Sequence, residues 1–192
     1  MRQSVEICSL LGVAKNHARN RARGWMLALA GGLVAGTLDI TYACVFWALK
    51  AGATPERIFQ SVAKGLLGPA AYQGGAATAA LGLFLHYFIA TSMSFTFFVA
   101  AQRWTALRLR PLLYGPGYGL LLYVIMNYVV VPLSAARGGG SRGALWVALS
   151  IVVHMLLIGL PIASFTRRAL GVARAGASTM DASTMDASRT GA

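Results

Sequence analysis

Ala144-Leu-Trp-Val-Ala-Leu-Ser-Ile-Val-Val-His-Met-Leu-Leu-Ile-Gly-Leu-Pro-Ile-Ala-Ser-Phe165 runs for 22 residues without an Asp, Glu, Lys or Arg. A helix of that length, rising ~1.5 Å per residue, crosses a hydrocarbon core ~30 Å thick. A barrel strand would alternate apolar and polar residues over about ten positions, and this stretch does not. In hydrocarbon the backbone must satisfy its own hydrogen bonds, so the stretch reads as a helix. Three further stretches have the same character: Trp25–Leu49, Ala76–Ala101 and Leu112–Ala136. The sequence therefore predicts an all-α integral membrane protein with four transmembrane helices in a bundle.

Composition agrees. Hydrophobic residues make up 57% of the 192 and charged residues 11%, against about 25% charged in soluble domains. Of the charged residues only Asp39 falls inside any of the four stretches. The net charge of +12 would suit nucleic acid, but it lies at the helix ends and shows no aromatic-interleaved basic face. Twelve basic residues flank one membrane side: Arg2, Lys15, Arg19, Arg21 and Arg23, then Arg103, Arg108 and Arg110, then Arg167, Arg168, Arg174 and Arg189. Lys50, Arg57, Lys64, Arg137 and Arg142 flank the other. The positive-inside bias places both termini in the cytoplasm, in a bacterial inner membrane, with the basic ends against anionic lipid head groups.

Residues 1–24 read as a basic cytoplasmic segment ahead of a retained first span, whose apolar run is about twice as long as a signal peptide's. Residues 169–192 carry a tandem repeat, Ala177-Ser-Thr-Met-Asp181 and Ala182-Ser-Thr-Met-Asp186, and read as a disordered tail. Cys8 and Cys44 fall on opposite sides of the membrane and do not pair. Trp25, Trp47, Trp104, Tyr114, Tyr118 and Trp146 mark span ends as interfacial anchors. Pro132 and Pro161 are taken as lying near helix ends, where a lost backbone bond is tolerated.

Between the first two spans, Thr54-Pro55-Glu56 gives an N-cap, a first-turn proline and an acid near the positive end of the helix dipole. Ile58, Phe59, Val62 and Leu66 then share one face, with Glu56, Gln60 and Lys64 on the other. This predicts a short amphipathic helix on the outer membrane surface, or alternatively a lid over the mouth of the bundle.

Each span carries one strongly polar side chain on its small-residue face. Gly32, Gly36, Asp39 and Ala43 align in the first; Gly75, Ala79, Gly82, His86 and Ala90 in the second. Gly115, Gly119, Tyr123 and Asn127 align in the third, and Ser150, His154 and Pro161 in the fourth. Small residues allow close helix approach, so Gly32, Gly36, Gly82, Gly115 and Gly119 are the expected packing positions. From helical rise, Asp39 lies ~21 Å from the cytoplasmic start of its span and Asn127 ~22 Å from that of its own. His86 and His154 lie ~15 Å below the outer ends. The candidate site is thus an intramembrane polar cluster of Asp39, His86, Asn127 and His154.

The strings GGLVAGTLD (Gly31–Asp39), GGAATAALGLFLH (Gly74–His86), MNYVVVPLSA (Met126–Ala135) and HMLLIGLPIA (His154–Ala163) resemble those of small bacterial four-span inner-membrane proteins, loosely similar to the YagU-type family. The resemblance covers roughly Trp25–Arg168 and implies a cytoplasmic-membrane location without an activity or a catalytic residue. YagU-type chains lack a matching acid in the first span, so Asp39 stands outside the comparison.

Three functions remain open. One is small-solute or proton-linked transport through the polar cluster. A second is a non-catalytic assembly, lipid-binding or regulatory protein, in which polar side chains only fix helix register. A third is a haem or quinone redox protein with His86 and His154 as axial ligands. Gly115-Pro-Gly-Tyr-Gly119 has no pore helix before it and does not make a potassium filter. No P-loop, HExxH or GxSxG occurs, and the five acids do not form a catalytic pair. No cofactor or metal is assigned, and four small-residue-rich helices lead us to expect a homo-oligomer.

Overall fold

The computed structural model describes residues 2–136 and 143–171. Among them every element is helical. In order these are α1 (Arg2–Ala51), α2 (Pro55–Leu67), α3 (Gly75–Arg103), the short α4 (Thr105–Leu109), α5 (Pro111–Leu133) and α6 (Ala144–Gly171). Four of them, α1 over Ala18–Ala51 together with α3, α5 and α6, are long and apolar enough to cross a membrane. Their outward surface is apolar as well: Leu33, Leu38, Phe84, Phe88, Leu121 and Val152 are all exposed. In water such a surface is an association liability, whereas in lipid it is the ordinary boundary.

α1 packs on α3 and α6, and α5 packs on α6. Side chains close the gap between α3 and α5, where the Tyr118 hydroxyl donates to the Met93 carbonyl at 2.9 Å and Phe97 sits 4.8 Å from the Tyr118 ring. All four long helices meet in one apolar cluster of Ala35, Phe97, Leu122, Ile158, Ile162 and Ala163. Nearer the N-terminal part of α1, a second cluster joins Ala28, Phe98, Ala101, Ala169 and Leu170. A buried polar tie reinforces this half: the fully buried Ser94 hydroxyl donates to the Ala28 carbonyl at 2.6 Å. Ser94→Ala is expected to cost about 1 kcal/mol, seen as a small drop in the melting temperature of the purified protein.

The glycines are where the backbones come closest. A Cβ on Gly32 would stand 2.7 Å from Thr91 Cα, and one on Gly36 would stand 3.1 Å from Ala90 Cβ. Across α5 and α6, a Cβ on Gly115 would lie 3.0 Å from the Gly159 carbonyl oxygen, and one on Gly119 2.6 Å from the His154 carbonyl carbon.

Three features differ from the sequence reading. First, α1 is continuous from Arg2, so residues 2–24 prolong the first span as helix. Second, Pro161 lies well inside α6 rather than near its end. Both Pro132 and Pro161 follow a wider, π-helical turn, Met126–Val130 and His154–Gly159 respectively. A proline lacks its N–H and its ring collides with the carbonyl four residues back; a widened turn makes room for both defects. Third, Gln60 is not on an outward polar face. It is buried against α3, with its amide donating to the Gly75 carbonyl at 3.1 Å and to Glu56 Oε1 at 3.4 Å.

That burial reflects how α2 sits. The Thr54 hydroxyl accepts from the Arg57 N–H at 3.3 Å, capping the helix start, and Gly68, at φ +64°, ends it in a conformation that favours glycine. Gly82 of α3 fits directly beneath Phe59 and Ala63, so this glycine seats α2 rather than another span. On the opposite side the Ala135 N–H donates to the Gly65 carbonyl at 2.9 Å, tying α2 to the end of α5. α2 is therefore pinned at both sides, from α3 across to α5. Gly82→Ala places a methyl against the Phe59 carbonyl and is expected to release α2, which would appear as faster proteolysis at Arg57 and Lys64. The basic residues of the expected tail beyond Gly171, with Arg137 and Arg142, fall outside the described residues.

Candidate functional site

Small side chains on facing helices can close a gap or leave one. Where Gly32 meets Thr91, the gap is closed. Higher up, Ala35, Gly36, Ala43 and Ala90 line a cavity of about 1110 Å³ that reaches up to α2. The cavity occupies the half of the molecule away from the N-terminal part of α1. Its floor is Ala35, Met93 and Ile158, and the apolar cluster around Phe97 and Ile162 fills the space below. Its upper wall is α2, through Arg57, Ile58, Ser61, Val62 and Lys64.

Asp39, His86, Asn127 and His154 all line this cavity. Four helices thus bring one polar side chain each to a common space, although no hydrogen bond or ion pair is seen from one of the four to another. Three bond to backbone carbonyls instead. His86 Nε2–H donates to the Gly36 carbonyl at 2.8 Å, on the neighbouring helix. His154 Nδ1–H donates to the Ser150 carbonyl at 2.8 Å and the Asn127 amide to the Tyr123 carbonyl at 2.9 Å, each one turn back on its own helix. Because a carbonyl only accepts, these bonds fix the tautomers: the neutral rings keep Nδ1 of His86 and Nε2 of His154 as acceptors. Asn127 and His154 both lie in the widened turns that precede the prolines. Such turns shift the side chains that follow them relative to the α-helical repeat, and they recur at functional sites.

Asp39 is half-buried on α1, and its carboxylate forms no hydrogen bond or ion pair with a described residue. A carboxylate in an apolar wall is costly unless water or a ligand solvates it, so an open space in front of it is a physical requirement.

Spacing did not single out several other residues that line this space. Tyr42, Trp47 and Trp146 form an aromatic wall, with Tyr42 stacked on Trp146 at 5.5 Å and Trp47 at 5.1 Å from it. Trp47 and Trp146 sit at span ends as the sequence expects of interfacial anchors, and they also pack on each other across two helices. The Tyr42 hydroxyl and Ser150 Oγ are buried beside each other on the wall of the same cavity, with no other hydrogen-bond partner. From α2, the Arg57 guanidinium lies over the Tyr72 ring at 4.0 Å. Among the described residues, no three His, Cys, Asp or Glu side chains gather closely enough to hold a metal.

Comparison with family models, curated proteins and solved structures finds no match to this chain. The functional reading therefore rests on the geometry alone.

Proposed function

We propose that this chain is a multi-pass protein of a bacterial inner membrane, with both termini cytoplasmic, whose intramembrane cavity binds a small solute for transport. The single observation that carries this reading is the convergence of Asp39, His86, Asn127 and His154 on one cavity of about 1110 Å³. Ligand sites are typically ~300–1,000 Å³, mostly apolar, with a few placed polar groups. In the positive-inside orientation the cavity faces outward under α2, and the packed clusters around Phe97 and Phe98 seal the cytoplasmic half. α2 covers the cavity, and Asp39 with the two imidazoles offers ionisable groups to the solute.

One observation favours the second reading, in which the polar groups only fix helix register: His86 bonds the Gly36 carbonyl of the neighbouring helix, while Asn127 and His154 bond carbonyls of their own helices. Ala43→Phe separates the two, because it fills the cavity and leaves every one of those bonds in place. Transport predicts a folded protein of unchanged or higher melting temperature that no longer complements a deletion strain; register-fixing predicts full complementation. A redox role would use Nδ1 of His86 or require its Nε2 to leave the Gly36 carbonyl before ligating a haem iron.

A further inference from the structure

We infer that the ligand of this cavity is a zwitterion, carrying an ammonium group and an anionic carboxylate or phosphate. The inference rests on the solute-binding reading and names the class of solute. Its basis is a set of complementary groups that share one cavity without satisfying each other. Asp39 on α1 supplies a negative charge, and Arg57 and Lys64 on α2 supply two positive ones. Opposite charges beside a low-dielectric wall attract strongly, yet no ion pair joins Asp39 to either cation. Ser150, only 4% exposed, also lines the cavity, and its hydroxyl meets no side chain there other than the Tyr42 hydroxyl beside it. A buried polar group in that condition calls for a ligand or water.

Charge then narrows the choice. A simple cation is drawn to Asp39 but repelled by Arg57 and Lys64, which hold the upper wall. A simple anion meets the reverse arrangement. A molecule with both charges places its ammonium on Asp39 and its anion on Arg57 and Lys64, with Ser150 free to donate or accept. Ile89, Met93 and Ile158 leave an apolar floor for an aliphatic portion. Two sources share this chemistry: a free amino acid with an apolar side chain, and the head group of an aminophospholipid.

The test is equilibrium binding to the full-length protein in detergent, by calorimetry. One arm compares L-leucine with 3-methylbutylamine, which lacks the carboxylate, and 4-methylpentanoate, which lacks the ammonium. The other compares dihexanoyl phosphatidylethanolamine with dihexanoyl phosphatidylglycerol. A zwitterion in one arm should bind about tenfold more tightly than its singly charged counterparts, and the arm in which this happens names the source. Asp39→Asn should erase the advantage over the anion. Arg57→Gln and Lys64→Gln should erase the advantage over the amine, and this comparison holds even where Asp39→Asn folds poorly. An amine or an anion that binds as tightly as the zwitterion overturns the inference and leaves solute binding intact. Absence of binding by every probe overturns both.

Discussion

Gly119→Ala is expected to lower the stability of the protein by about 3 kcal/mol, the upper end for an overpacked core, and to drop its melting temperature by roughly 10 °C. The added Cβ would lie 2.6 Å from the His154 carbonyl carbon and 2.7 Å from Met155 Cα, and would also run into the His154 carbonyl oxygen. These are backbone atoms of a packed helix and do not swing aside as a side-chain tip would. Relief requires α5 and α6 to separate where the widened turn at His154–Gly159 shapes the cavity wall. Gly117 supplies the control. It lies two residues away on the same helix, with nothing within 4 Å of its Cβ position. Gly117→Ala should stay within about 1 kcal/mol of the parent, on the stabilising side, because alanine loses less backbone entropy in a helix. Thermal melts of the two variants side by side check the pair. Equal melting temperatures would contradict the close α5–α6 contact.

Asp39→Asn should do the opposite to stability while removing function. The substitution keeps the shape of the side chain and deletes a carboxylate that bonds to no described residue. It also removes the desolvation cost of a half-buried charge, so the melting temperature is expected to hold or rise. A bond from a ligand to a charged group is worth about 1.5–3 kcal/mol, so solute uptake into proteoliposomes should fall by roughly 10- to 100-fold. That split, with stability kept and uptake lost, is the signature of a group held for a ligand. Loss of both together would make Asp39 a structural residue. Retention of both would remove it from the site.

The sequence carried the four long helices because hydropathy and length alone decide whether a segment can cross lipid. Asp39, His86, Asn127 and His154 stand out in the sequence as polar residues on small-residue faces, and all four line one cavity. Other features needed contacts between helices. Gly75, Ala79 and Gly82 mark a small face on α3, but spacing does not say which partner it meets, and Gly82 proves to seat α2. Gln60 looks outward on a helical projection and is buried because the Gly75 carbonyl satisfies its amide. The prolines held the signal for the widened turns, yet a proline's position in sequence does not show whether a helix ends there or absorbs the defect. Small residues were the most ambiguous of all. Gly32 and Gly119 let backbones touch, whereas Ala43 leaves space, and only the tilt of neighbouring helices separates the two outcomes.

The central claim is a cavity open to water inside the membrane-spanning region. Thiol labelling tests it most directly, with single cysteines at Ala43 and Leu38 in a Cys8→Ser, Cys44→Ser background. Ala43 lines the cavity, and Leu38 is exposed on the outward apolar surface. A membrane-impermeant methanethiosulfonate added to intact cells should modify Ala43→Cys from the outside and leave Leu38→Cys unreacted. If Ala43→Cys proves as inert as Leu38→Cys in a folded protein, the cavity is closed to solutes and the account fails.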